Sequence, residues 1–61
     1  MSDHYHHYTI EAIDVIEAWG LDFKQGNVIK YIGRYQVTKN PADLEKALNY
    51  LHRVVKGKWI D

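Results

Sequence analysis

Apolar residues recur at three- and four-residue spacing along this chain, in three segments separated by short polar breaks. Such spacing places apolar side chains on one side of an α-helix. The first segment carries Ile10, Ala12, Ile13, Val15, Ile16 and Trp19. Thr9 is a good N-cap for this segment, and Gly20 can end it by taking a positive φ. We predict a first helix over residues 9–20, preceded by an N-terminal segment of residues 1–8.

The second segment predicts a helix over residues 22–35, with Asp22 as its N-cap. The apolar side of this helix consists of Val28, Ile29 and Ile32. Gly26 and Gly33 lie on one flank, and each glycine costs a helix about 1 kcal/mol relative to alanine. We therefore expect another helix or a ligand to approach this flank closely. Residues 35–38 are interpreted as a linker.

The third segment has the clearest start signal, because Asn40 is a good N-cap and Pro41 suits the first helical position. It predicts a helix over residues 40–56. The apolar stripe of this helix consists of Leu44, Ala47, Leu48, Leu51 and Val55. The short tail of residues 57–61 opens with a glycine that stops the helix. The tryptophan and isoleucine of the tail need a surface to pack on.

Together the segments predict one all-α domain over residues 1–61, a compact three-helix fold. A chain of 61 residues buries only about 60% of its unfolded surface and is marginally stable alone. It has no cysteine for a disulfide or a cysteine-based zinc site. Its five tyrosines and two tryptophans supply more aromatic surface than one small core can easily cover. We therefore expect a homo-oligomer.

Charge and hydropathy restrict the partners of the chain. Eight basic and eight acidic residues balance, which argues against general nucleic-acid binding, because that affinity comes from uncompensated Lys and Arg. No apolar run is long enough to predict a membrane span. The N-terminus lacks the basic start and apolar stretch of a signal peptide. The expected location is the cytoplasm.

Four residues of the second helix form a candidate binding stripe. At about 100° per residue, Asn27, Lys30, Tyr31 and Arg34 fall within an arc of roughly 100°. This arc is expected to lie opposite the core. Two cations, an amide and an aromatic ring can hold a phosphate and pack against a base or a sugar. The alternative is a solvated helix face whose cations pair with acids of neighbouring helices.

Two further groups of residues extend this hypothesis. The third helix repeats the composition of the stripe with Lys46, Asn49, Tyr50 and Arg53, on a face away from its leucines. In an oligomer this face could close over the stripe of a neighbour; alternatively it is ordinary helix surface. At the N-terminus, His4 and Tyr5 belong to a Tyr- and His-rich segment suited to folding over a ligand. A metal site is not expected there, because no cysteine joins the histidines.

Signals for catalysis are weak. The only serine is the second residue, and no GxxxxGK[ST] phosphate loop occurs. Glu11, Asp14 and Glu17 are spaced like the magnesium-binding acids of all-α nucleotide pyrophosphohydrolases. Such enzymes need a second acidic pair, and Asp43 and Glu45 of the third helix do not share a face. We expect the acids to pair with the basic stripe, and we expect neither enzymatic activity nor a cofactor.

Five sequence blocks carry a family resemblance. They are HY at 4–5, IEAIDVIE at 10–17, GLDF at 20–23, GNVIKYIGR at 26–34 and DLEKALNYL at 43–51. In this order they resemble a widespread family of short phage and prophage proteins, described as uncharacterised or nucleotide-kinase-like. The resemblance covers residues 4 to about 55, and GNVIKYI-x-R is its most specific part. The phosphate loop and magnesium-binding acids of a kinase are missing from this chain.

Small phage proteins of this general kind include oligomeric sponges, which bind nucleotide immune signals of the host and hold them away from their effectors. The resemblance implies a phage anti-defence protein in the host cytoplasm. It would sequester a cyclic dinucleotide or an ADP-ribose derivative without cleaving it. The alternatives are an enzyme or accessory subunit of nucleotide metabolism, and a protein–protein inhibitor or adaptor. After Arg34, family members often continue into a Gly- and Lys-rich turn, whereas this chain has YQVTK. If that turn contacts ligand phosphates in relatives, a different ligand preference is expected here.

Overall fold

The computed structural model describes residues 10–61. They form three α-helices, α1 (Ala12–Trp19), α2 (Phe23–Thr38) and α3 (Pro41–Lys56), and no strand. The prediction of an all-α fold is therefore confirmed. The predicted N-cap Thr9 and the N-terminal candidates His4 and Tyr5 lie outside the described residues.

The starts of α2 and α3 agree with the sequence prediction because both are capped by local hydrogen bonds. Asp22 Oδ1 accepts the N–H of Gln25 at 2.8 Å, and the Gln25 side chain accepts the N–H of Asp22 in return. Asn40 Oδ1 accepts the N–H of Ala42 at 3.0 Å, with Pro41 at the first helical position. Since each cap uses neighbouring residues alone, the two starts are readable from sequence.

Two predicted helix bounds are wrong. The first helix begins at Ala12 rather than residue 9, with Glu11 as its N-cap. The Asp14 carboxylate fixes this start by accepting the N–H of Glu11 at 2.9 Å. The second helix continues through the supposed linker to Thr38 and ends where Lys39 takes a left-handed conformation with φ 54°. A hydrogen bond of 2.5 Å from Thr38 Oγ1 to Asp43 Oδ2 of α3 holds this last turn.

Helix α2 is the central element, with α1 on one side and α3 on the other. Gly26 allows the α1 contact, because a Cβ at this position would lie only 3.3 Å from Ile16 Cδ1. This close approach confirms one part of the glycine prediction. On the opposite side, Asp43 and Ala47 of α3 are buried, at 4% and 5% exposure. The Cα positions span 35 × 27 × 13 Å, so the helices form roughly a single layer.

The core of this layer is small. Among residues 10–61, Ala47 is the only buried apolar residue apart from Gly26. The apolar stripe of α3 lies largely outside the helix contact: Leu44, Leu48, Leu51 and Val55 are exposed. None of the helices in residues 10–61 is long and apolar enough to cross a membrane.

Candidate aromatic–cation site

Four aromatic rings meet where α2, α3 and the C-terminal tail come together. Tyr31 of α2 stacks on Tyr50 of α3, with ring centroids 5.9 Å apart and an interplanar angle of 22°. Phe23 and Trp59 contact Tyr50 edge-on, at centroid distances of 6.2 and 5.2 Å. These distances lie in the range of favourable aromatic pairs. Tyr50 is therefore the centre of the group.

Three cations border the rings. The ammonium groups of Lys30 and Lys46, from α2 and α3, lie 4.8 and 5.4 Å from the centroid of Tyr31. The guanidinium of Arg53 lies 5.4 Å from the centroid of Trp59. All three are within the distance of a cation–π interaction, about 6 Å. We call the seven residues the aromatic–cation cluster: Phe23, Lys30, Tyr31, Lys46, Tyr50, Arg53 and Trp59.

The tail reaches the cluster because hydrogen bonds fold it back on α3. Asn49 Oδ1 accepts the N–H of Ile60, Arg53 donates to the carbonyl of Gly57, and His52 Nδ1 donates to the carbonyl of Lys58, each at 2.7 Å. Gly57 permits the reversal with φ 78°. The tail thus packs on its own chain, although Trp59 and Ile60 each remain 45% exposed.

Five of the predicted site residues are brought together in the cluster. They are Lys30, Tyr31, Lys46, Tyr50 and Arg53. The face of the third helix meets the stripe of the second helix within one chain. The sequence analysis considered only a contact with the stripe of a neighbour or an ordinary helix surface. The expectation that the stripe lies opposite the core is wrong, because the half-buried Tyr31 forms part of the α2–α3 contact.

Asn27 and Arg34 have other partners. The Asn27 side-chain amide donates to the carbonyl of Phe23 in the preceding turn at 2.8 Å. Arg34 Nε lies 3.6 Å from Asp43 Oδ1. For Arg34 the alternative interpretation, an ion pair to a neighbouring helix, therefore holds. Within residues 10–61 this is the one ion pair, so the acids of α1 do not pair with the basic stripe there.

Phe23 and Trp59 were missed as site residues. Phe23 is the first residue of α2 and 76% exposed, and no local pattern indicates its approach to Tyr50. For Trp59 there was a signal, since an aromatic residue in a short tail needs a surface. Only the backbone reversal after α3 shows that this surface is Tyr50.

Among the hollows lined by residues 10–61, two adjoin α2. One, of about 210 Å³, is bordered by Phe23, Asn27 and Lys30 together with Ile16, Leu21, Asp22 and Gly26. It offers an exposed ring beside an ammonium group. The other is an apolar groove of about 330 Å³ between α1 and α2, with Val15, Trp19, Ile29, Ile32 and Gly33 among its lining residues. The sequence pattern did not predict this groove.

The chemistry of the cluster is that of binding. Lysine and arginine donors attract phosphate oxygens, and exposed aromatic rings offer flat surfaces to a base. Among the residues that the structure describes, neither Lys30 nor Lys46 has a carboxylate oxygen within 4.0 Å. In the same part of the chain, no three His, Asp or Glu side chains are grouped to hold a metal ion.

These observations define a small all-α protein with an aromatic–cation cluster between two helices. A family model described as a protein of unknown function, DUF3310, matches residues 1–52. The match covers most of the chain, and the chain belongs to this family. Comparison with curated proteins and with solved structures gives no match.

Proposed function

We propose that this chain is a phage anti-defence protein that binds a nucleotide immune signal and sequesters it without cleavage. The ligand class is a cyclic dinucleotide or an ADP-ribose derivative, both of which combine phosphates with flat bases. The site of action is the cytoplasm of the host cell. The protein acts as a homo-oligomer, which raises the number of ligands held by each particle.

The observation that carries the proposal is the convergence of Lys30 and Lys46 on one ring. Their ammonium groups come from different helices and lie within 5.4 Å of the Tyr31 centroid. Both groups carry the same charge and border the same ring, so an anion such as phosphate bound there would reduce their mutual repulsion. Phe23 is exposed beside Lys30, so a base can lie against its ring while the phosphate contacts the ammonium.

A protein–protein inhibitor or adaptor is the second candidate function. Large apolar side chains are exposed on all three helices, including Ile13, Ile32 and Leu48. Contiguous apolar surface, such as the groove between α1 and α2, marks interaction sites. This candidate and the nucleotide sponge predict different results when the protein is titrated with nucleotides.

The test is calorimetric titration of the protein with cyclic dinucleotides and ADP-ribose isomers, followed by heating and chromatography of the released ligand. Sequestration predicts saturable binding and recovery of the intact nucleotide. A new product would instead establish an enzyme. Absence of binding to every nucleotide at micromolar protein would refute the proposal and favour the protein–protein candidate.

The site is tested with the double variant Lys30→Ala/Lys46→Ala. It should weaken binding about 100-fold, since each charge-assisted contact contributes roughly 1.5 kcal/mol. Lys24→Ala is the matched control, because Lys24 is on α2 roughly 120° around the helix from Lys30. Equal affinities of the double variant and the control would exclude the cluster as the site. Arg34 is unsuitable for this test, since its ion pair with Asp43 makes a loss of folding hard to separate from a loss of binding.

A further inference from the structure

The exposed stripe of α3 has the spacing of a helix–helix seam. Leu44, Leu48, Leu51 and Val55 follow one another at intervals of four, three and four residues, the alternation of the two apolar positions in a coiled-coil heptad. At about 100° per residue the four side chains fall within an arc of roughly 60°. All four are between 41% and 67% exposed. We call these four residues the α3 seam.

The seam is separate from both contacts already described. By the same projection, its centre lies roughly 90° from Asp43 and Ala47, which face α2. It lies roughly 170° from Lys46 and Arg53, the α3 cations of the aromatic–cation cluster. One side of the helical layer is therefore aromatic and cationic, and the other carries an aliphatic stripe.

A single layer of helices does not complete a domain core. Domains are built from two or more layers that bury the apolar faces of their elements against each other. Here the layer has a shortest dimension of 13 Å and buries little apolar surface in residues 10–61. A second layer of matching shape would cover the seam, and a second copy of the chain provides one.

Charges beside the seam favour an antiparallel arrangement of the two copies. On the flank of α3 that faces away from α2, Glu45 lies near the N-terminus of the helix and Lys56 near its C-terminus. If two α3 helices pair antiparallel about a two-fold axis, Glu45 of each copy lies near Lys56 of the other. The helix dipoles then also oppose each other. A parallel pair would instead place the two N-termini of α3 together and the two C-termini together.

We propose that the α3 seam is a homodimer interface, in which α3 packs antiparallel against α3 of a second copy. The contact is isologous, so the same residues act on both sides and the assembly closes at two chains along this surface. The interface is independent of nucleotide binding, because the cluster lies on the opposite side of α3. Nucleotide binding can therefore be refuted without the dimer, and the dimer without nucleotide binding.

Light scattering after size exclusion of the full chain, at 10 to 500 µM, tests the dimer. We expect twice the chain mass of 7.2 kDa. Leu48→Glu places a carboxylate in the middle of the seam on both copies and should raise the dissociation constant at least about 100-fold, because two leucines lose their burial. Circular dichroism should show retained helix, since Leu48 is 57% exposed in the single chain.

Val37→Glu is the matched control, because it places the same charge at an exposed valine of α2 outside the seam. This variant should stay dimeric. A wild-type monomer over the whole concentration range would overturn the proposal, whether the seam is covered by the same chain or by another protein. A dimer that persists in Leu48→Glu would overturn it as well.

The orientation is tested by exchanging charges. Glu45→Lys and Lys56→Glu, each alone, should weaken the antiparallel dimer a few-fold, because each places like charges together twice. The double exchange should restore the wild-type dissociation constant. Two single effects that simply add in the double variant would refute the antiparallel arrangement.

Discussion

At the scale of single residues, Asp43 links α2 to α3. Its carboxylate accepts a hydrogen bond from Thr38 and lies near Arg34, and only 4% of the residue is exposed. Sequence patterns identify Asp43 as an acidic residue in the first turn of a helix. They do not identify its partners, which come from the preceding helix. Its role in packing therefore depends on the tertiary structure.

Asp43→Ala should lower the free energy of unfolding by about 2 kcal/mol, because a hydrogen bond to a buried charged group is lost. Urea denaturation followed by circular dichroism measures this change. Glu17→Ala, at an exposed acid of α1, is the control and should change stability by less than about 0.5 kcal/mol. Similar losses in the two variants would show that Asp43 does not link the helices.

At the scale of helices, local capping signals predicted most bounds. The start of α1 is set by a local contact between Glu11 and Asp14 that the sequence analysis missed, and a tertiary contact holds the end of α2. Asp22, Asn40 and Gly57 act at the helix ends where the sequence places them. The extension of α2 to Thr38 was not predictable, because Val37 and Thr38 are β-branched and favour helix only weakly. The contact from Thr38 to Asp43 offsets that preference, and no local rule includes it.

The two glycines inside α2 should respond differently to alanine. Gly33→Ala should raise the free energy of unfolding by about 1 kcal/mol, because helix propensity improves and the new Cβ meets no atom within 4 Å. Gly26→Ala should raise the free energy of unfolding by less, since its Cβ would lie only 3.3 Å from Ile16. Urea denaturation of both variants measures the difference.

Ile16→Val supplies the control for this comparison, because it removes the Cδ1 atom nearest to Gly26. In the Ile16→Val background, Gly26→Ala should raise the free energy of unfolding by more than it does in the wild type. Equal gains at the two glycines in the wild type would contradict the close α1–α2 contact.

At the scale of the whole molecule, the candidate site was predictable as a set of residue types and only partly as an arrangement. The helical periodicity of the sequence places Lys30 beside Tyr31 on α2 and Tyr50 on the polar side of α3. In the structure all three are in contact. The periodicity does not show that the two faces meet within one chain, because the direction in which α3 packs on α2 depends on Ala47 and Asp43. The exposed seam has the same cause, because Asp43 and Ala47 of α3 face α2 and its leucines remain exposed.

A chain with so little buried apolar surface should depend on association for much of its stability. If two chains unfold together from a dimer, the melting temperature rises with protein concentration by mass action. With an unfolding enthalpy of roughly 0.7 kcal/mol per residue, a tenfold increase in concentration should raise Tm by about 5 °C. Differential scanning calorimetry from 20 to 500 µM measures this shift.

Leu48→Glu should melt at a lower temperature that does not change with concentration, whereas Val37→Glu should keep the concentration dependence. A wild-type Tm independent of concentration would mean that the single layer is stable alone, and the aliphatic side of α3 would then contribute nothing to folding.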